Sequence, residues 1–175
     1  AAGESLPFEQ KDLSIRGHAI ECRINAEDPL NNFTADPGKI VRYRSPGGPG
    51  IRIDSGIHMG YTISPVYDSM IAKLCACDYT RQDAIMRMRR AISEYIILGV
   101  KTTLPLHLAI MNNKQFIDGN THTHFIQEEH ILNTLERYTR DEETRMQTLA
   151  GSFQQGKKIA AISTAVNLYL QQKKE

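Results

Sequence analysis

The hydrophobic pattern of this chain changes period at Thr80, and that change restricts the folds open to it. Up to Thr80, apolar and polar residues alternate in short runs closed by Gly, Pro, Asn and Asp, as half-exposed strands joined by tight turns require. Beyond it, apolar residues recur every three or four positions, which marks one face of a helix. The fold class expected is α+β: an antiparallel sheet of short strands in the first half, packed by helices from the second half.

The clearest strand covers 17–25. Ile20, Cys22 and Ile24 fall on one face, and Ala19, Glu21, Arg23 and Asn25 on the other. An acid, a guanidinium and an amide therefore stand in a row, which on pattern alone is a solvated sheet surface. Residues 39–44 alternate again, with Ile40, Arg42 and Arg44 on one side and Val41 and Tyr43 on the other. Pro46-Gly47-Gly48-Pro49-Gly50 predicts a hairpin turn, with 51–54 as the returning strand. A phosphate cradle is disfavoured there, because this glycine loop opens a strand and not a helix. Further strands are expected over 61–64, stopped by Pro65, and over 69–78. Cys22, Cys75 and Cys77 lie in apolar runs and read as buried core thiols of a reducing compartment. A Cys-x-Cys pair without a second ligand pair is poor zinc spacing.

Thr80 and Asp83 open the first helix. Ala84, Ile85, Met88, Ala91, Ile92, Tyr95 and Ile96 form its apolar stripe, Gly99 ends it, and Arg87, Arg89 and Arg90 read as its solvated face. Thr103 is expected to cap a second helix over 104–112, with Pro105 in its first turn. A third helix is expected over 126–140. An Ala-rich amphipathic segment, 159–170, reads as a terminal helix docked on the domain or on a partner. His122 and His124 form the one histidine cluster; with no acid or Cys at ligand spacing, they read as exposed loop residues, and no metal site is assigned.

With 175 residues, 41% hydrophobic and 23% charged, the composition is that of a globular domain. A net charge of +1 gives no electrostatic case for nucleic acid or an anionic membrane. No apolar run reaches the length of a membrane span, and the opening Ala1-Ala2-Gly3-Glu4-Ser5 does not read as a signal peptide. The chain begins without Met and is expected to be a piece of a longer, cytoplasmic polypeptide.

The wording of 17–29, Gly-His-Ala-Ile-Glu-Cys-Arg-Ile-Asn-Ala-Glu-Asp-Pro, resembles the C-terminal domain of biotin carboxylases. The resemblance runs in order through Pro37-Gly38-Lys39-Ile40, Ser45-Pro46-Gly47-Gly48-Pro49-Gly50-Ile51-Arg52 and Tyr67-Asp68-Ser69-Met70-Ile71-Ala72-Lys73-Leu74. It continues through Arg81, Ala84-Ile85 and Arg87-Met88 to Gly99-Val100-Lys101-Thr102, covering about 15–125. It divides the chain into a linker, 1–14, from an N-terminal ATP-grasp region; the domain, 15–125; and a helical extension, 126–175.

The resemblance implies ATP- and Mg²⁺-dependent carboxylation, by bicarbonate, of biotin on a biotin carboxyl carrier domain. Arg23 would then be the catalytic arginine at the biotin ureido oxygen, stabilising the enolate-like anion. Glu21 and Asn25 read either as partners that hold Arg23 or as sheet-surface polar residues. Arg52 and Asp68 match positions near the contact of the family's homodimer, and Thr123 a position lining the adenine pocket, usually aliphatic in the family. Thr80 ahead of Arg81, and Thr103 after Lys101-Thr102, also depart from the common pattern and bear on loop shape. The metal ligands, the general base and the nucleotide lysines belong to the N-terminal part, so this chain alone is expected to be inactive. The partners implied are that N-terminal part, the carrier domain and a carboxyltransferase subunit. The alternative is a non-catalytic assembly module of such a complex; intact Arg23 in its motif favours the enzyme.

Overall fold

The computed structural model describes the backbone of residues 2–172, and side chains continuously from residue 2 to 149, together with residues 151 and 155. A 3₁₀ turn, Gln10–Asp12, precedes seven strands and five helices in the described chain. The strands are β1 (His18–Asn25), β2 (Glu27–Asp28), β3 (Thr34–Ala35), β4 (Arg42–Arg44), β5 (Ile51–Ser55), β6 (Met70–Asp78) and β7 (Ile96–Leu98). The helices are α1 (Arg81–Glu94), α2 (Leu104–Asn112), α3 (Lys114–Asp118), α4 (Phe125–Glu128) and α5 (Ile131–Gln172).

The main sheet is antiparallel, with β6 between β1 and β5. Its inner face carries Cys22, Ile24, Leu74 and Ala76, all buried against Ile85, Met88, Ala91 and Ile92 of α1. The strand-then-helix architecture expected from the change at Thr80 is the one found. Thr80 opens α1 with its hydroxyl, which accepts from the Asp83 amide at 3.1 Å.

The predicted hairpin is corrected. The turn after β4 moves the chain to another sheet: β5 pairs with β6, while β4 pairs with β7. Gly50 makes that turn at φ +71°, where a Cβ would collide with the Cys77 carbonyl. Residues 61–64 form no strand; Thr62 makes a single bridge to Lys39. Conversely, β2 and β3 form a short hairpin inside the predicted loop. Helix α1 stops at Glu94 instead of running on to Gly99. Tyr95 turns extended, its hydroxyl 3.0 Å from that of Tyr43, and Ile96–Leu98 leaves as β7.

Of the three α1 arginines read as solvated, Arg90 is exposed, whereas Arg87 and Arg89 are half-buried and bonded. Arg87 donates to the Cys77 carbonyl at 2.8 Å and pairs with Asp78; Arg89 donates to the Met111 carbonyl at 3.0 Å. Long aliphatic stems let these guanidinium groups reach carbonyls at the ends of neighbouring elements. The cysteines are corrected in part: Cys22 is buried, Cys75 half-buried and Cys77 exposed. Cys75 and Cys77 occupy the outer face of β6, opposite Leu74 and Ala76.

The helix predicted over 126–140 is split at His130, whose φ of +49° separates α4 from α5. Ile131 and Leu135 of α5 are buried against Leu106, Ala109 and Phe125. The side chains of 159–170, expected to dock, lie outside the described residues; their backbone continues α5.

Candidate functional site

The outer face of the main sheet carries the polar row predicted from the alternation. Register places Arg23 opposite Lys73, and Lys73 opposite Asp54. One step along, Glu21 faces Cys75, which faces Arg52. Helix α1 covers the other face, so these residues lie on the side free to meet another domain.

The Arg23 side chain is exposed, and its Nε donates to the Met70 sulfur at 3.2 Å. Its backbone is fastened from behind. The Arg23 carbonyl accepts from Thr103 Oγ1 at 3.2 Å and from His107 Nε2 at 2.8 Å. Thr103 Oγ1 also accepts from the Asn25 amide at 3.0 Å, and the Thr103 amide donates to the Asn25 carbonyl at 3.1 Å. Thr103 stands at the N-terminus of α2, as the sequence predicts, but its hydroxyl caps nothing there; it is committed to β1. Burial pushes the His107 imidazole below its ordinary pKa, and the bond to the Arg23 carbonyl opposes that only in part. A neutral ring with its proton on Nε2 suits an accepting carbonyl. Neither Thr103 nor His107 was assigned to the site from sequence, since their partners lie 80 and 84 positions away.

Glu21 and Asn25 share the Arg23 face without bonding its guanidinium. Glu21 accepts from the Cys75 thiol at 3.6 Å, and Asn25 Nδ2 donates to Glu27 Oε1 at 3.0 Å. Glu27 is also the acceptor of the Ser69 hydroxyl. Asn25 Oδ1 is buried and has no hydrogen-bond donor in the described structure. Burial first, then the Glu21 bond, raises the Cys75 thiol pKa; burial pushes Cys22 up to about 12. Neither is an activated thiolate.

Arg52 grips Asp54 with Nε at 3.1 Å and Nη2 at 2.7 Å. That hydrogen-bonded pair holds the Asp54 carboxyl below its usual range. Asp68 accepts from the Met70 amide at 2.7 Å and lines a cavity of about 420 Å³ with Asp54, Tyr61, Tyr67, Met70 and Lys73. Thr123 is exposed in the turn before α4, away from the sheet row in sequence and element. Among the described residues, no group of three or more His, Cys, Asp or Glu is arranged to hold a metal ion.

The open sheet face thus presents an exposed arginine whose backbone carbonyl is held by Thr103 and His107. The family model for the biotin carboxylase C-terminal domain matches residues 21–128, and the chain belongs to that family. It is 54% identical over 172 residues to a pyruvate carboxylase subunit of Methanothermobacter thermautotrophicus, covering 97% of this chain and 35% of that protein. With biotin carboxylase 1 of Bacillus subtilis it shares 48% identity over 127 residues, covering 73% of this chain and 28% of the relative.

Among solved structures it is similar to the biotin carboxylase domain dimer of the Hydrogenobacter thermophilus 2-oxoglutarate carboxylase, in complex with MgADP, ADP and bicarbonate. That match has a TM-score of 0.72 and 47% identity, covering 74% of this chain and 29% of that one. The biotin carboxylase subunit of pyruvate carboxylase matches with a TM-score of 0.70 and 48% identity, over 73% of this chain and 28% of that one. The chain therefore spans about a third of the curated relatives it matches.

Proposed function

We propose that this chain is the C-terminal part of a biotin carboxylase, an ATP-dependent enzyme that carboxylates carrier-bound biotin with bicarbonate. Its chemical contribution is Arg23. Loss of the N1′ proton turns the ureido group of biotin into an enolate-like anion with charge on its oxygen. A guanidinium already fixed where that charge appears favours the transition state over the ground state. The observation that carries this reading is the mounting of Arg23: its carbonyl is held by Thr103 and His107, and among the described residues its exposed guanidinium bonds only a thioether.

The donor set here suits a urea oxygen and no metal, so no step is assigned to this chain through Mg²⁺ or ATP. Those belong to an N-terminal ATP-grasp part; the further partners are a biotin carboxyl carrier domain and a carboxyltransferase subunit. Glu21 and Asn25 shape the polar row flanking Arg23. Arg52 and Asp68 belong to a homodimer contact, and Thr123 lies toward the nucleotide end.

The test is complementation. The N-terminal part alone, the chain alone and the mixture are assayed for bicarbonate-dependent ATP hydrolysis and carboxylation of free biotin. Activity is expected only in the mixture; a folded, associated pair that stays silent would refute the reading.

A further inference from the structure

Arg23 of β1 and Met70 of β6 meet through a single contact, the Arg23 Nε donating to the Met70 sulfur at 3.2 Å. A thioether is a weak acceptor, so this contact leaves the guanidinium ready for a stronger one. The polar neighbours on the same face are engaged elsewhere, Glu21 with the Cys75 thiol and Asn25 with Glu27. The six methionines differ in exposure. Met88, Met111 and Met146 are buried and Met59 and Met86 exposed, while Met70 is half-buried and borders the cavity of about 420 Å³. That cavity gives small solutes a path to the Met70 side chain. The thiols of Cys22 and Cys75 are poor competitors for an oxidant, because burial raises both pKa values and keeps them protonated.

From this contact we infer that Met70 is an oxidative modification site that controls Arg23. The oxidant is a hydroperoxide. One of its oxygens is transferred to a lone pair of the Met70 sulfur as the O–O bond breaks. The sulfur loses two electrons, and the peroxide, reduced by two, leaves as water or an alcohol. Methionine sulfoxide reductases remove that oxygen again, so the step is reversible. The sulfoxide sets a strongly dipolar oxygen, one bond beyond the sulfur, beside a guanidinium that previously held only a thioether. Hydrogen bonds from a charged donor are roughly twice as strong as neutral ones. The new oxygen therefore competes for the N–H groups that the developing enolate oxygen needs. Arg23 keeps its charge but is already bonded before the transition state forms, so its preference for that state is lost. The inference rests on the proposed role of Arg23 and adds a reversible control of the same site.

The experiment treats the full-length enzyme with hydrogen peroxide as wild type, Met70→Leu, Met59→Leu and Cys77→Ser, each compared with its own untreated sample. Leu keeps the size of Met without an oxidisable sulfur. Peptide mass spectrometry reads the sulfoxide fraction at Met70, and carboxylation of free biotin reads kcat. In wild type, kcat should fall in step with Met70 sulfoxide, by about tenfold or more at full conversion, with KM for ATP unchanged. Methionine sulfoxide reductases of both epimer specificities should restore it. Met70→Leu should hold its own untreated rate, whereas Met59→Leu and Cys77→Ser, which remove exposed sulfurs, should lose activity as wild type does. Met70→Gln, which puts a carbonyl oxygen near the same place, should turn over slowly without peroxide. Three results would overturn the inference: Met70 left reduced when Met59 is fully oxidised, oxidised Met70 with unchanged kcat, or Met70→Leu inactivated in parallel with wild type. The first two are read on the wild type and need no variant to fold. Near-normal turnover in untreated Arg23→Lys is read separately, and removes the proposed function together with this control of it.

Discussion

Replacing Thr103 with Val tests whether the clamp behind Arg23 is what holds β1 and α2 together. Val keeps the shape and removes only the hydroxyl. Thr103 is 5% exposed, and its Oγ1 both accepts from the Asn25 amide and donates to the Arg23 carbonyl. The carbonyl keeps a second donor, His107 Nε2, so the orphan created is the Asn25 N–H. An unsatisfied buried backbone donor costs about 1–3 kcal/mol, so about 2 kcal/mol is expected. In urea, with a slope of about 2 kcal/mol/M, the midpoint should fall by about 1 M at unchanged slope.

A double-mutant cycle sharpens this. His107→Leu alone leaves the Arg23 carbonyl with Thr103, whereas the double variant strips both donors. The pair should therefore lose more than the sum, with a coupling of at least ~0.5 kcal/mol. A Thr103→Val midpoint within ~0.5 kcal/mol of wild type, or strict additivity, would refute the clamp.

Acid stability carries a second signature of His107. Its native pKa lies below the unfolded value of about 6.5, so the unfolded state binds the extra proton and stability rises with pH across that window. The contribution is complete above about pH 6.5 and lost as pH falls toward the depressed native pKa; His107→Gln should flatten the melting temperature there, and an unchanged slope would reject this. Leu74→Ala, at a fully buried position under α1, should cost about 2–5 kcal/mol by denaturant titration. Gly99→Ala should cost about 1–3 kcal/mol, since φ is +111° and the new Cβ meets the Lys39 carbonyl; a neutral result would contradict the fit between Gly99 and the chain entering β4.

The sheet and the row bearing Arg23 were legible in sequence because alternation is local: each residue of β1 declares its own face. What was illegible depended on partners far along the chain. Pro46 to Gly50 announce a turn but not which strand the chain joins after it, and β5 joins β6, 15 or more positions on. Ile96, Ile97 and Leu98 continue an apolar run without a polar break, so the helical pattern hid the exit into β7. Thr103 has the residue type of a helix cap, and only the tertiary approach of β1 diverts its hydroxyl. The α1 arginines look solvated by period, yet their reach lets them satisfy distant carbonyls.

The most direct measurement is turnover of free biotin by the full-length enzyme carrying Arg23→Lys. A lysine keeps the charge but loses the planar, pre-aimed fork. Removing one such donor typically costs about 10²–10³ in kcat, or ~3 kcal/mol of barrier. A fall of that size in biotin carboxylation, with KM for ATP unchanged, is expected if Arg23 stabilises the enolate-like anion. Near-normal turnover in Arg23→Lys would contradict that role.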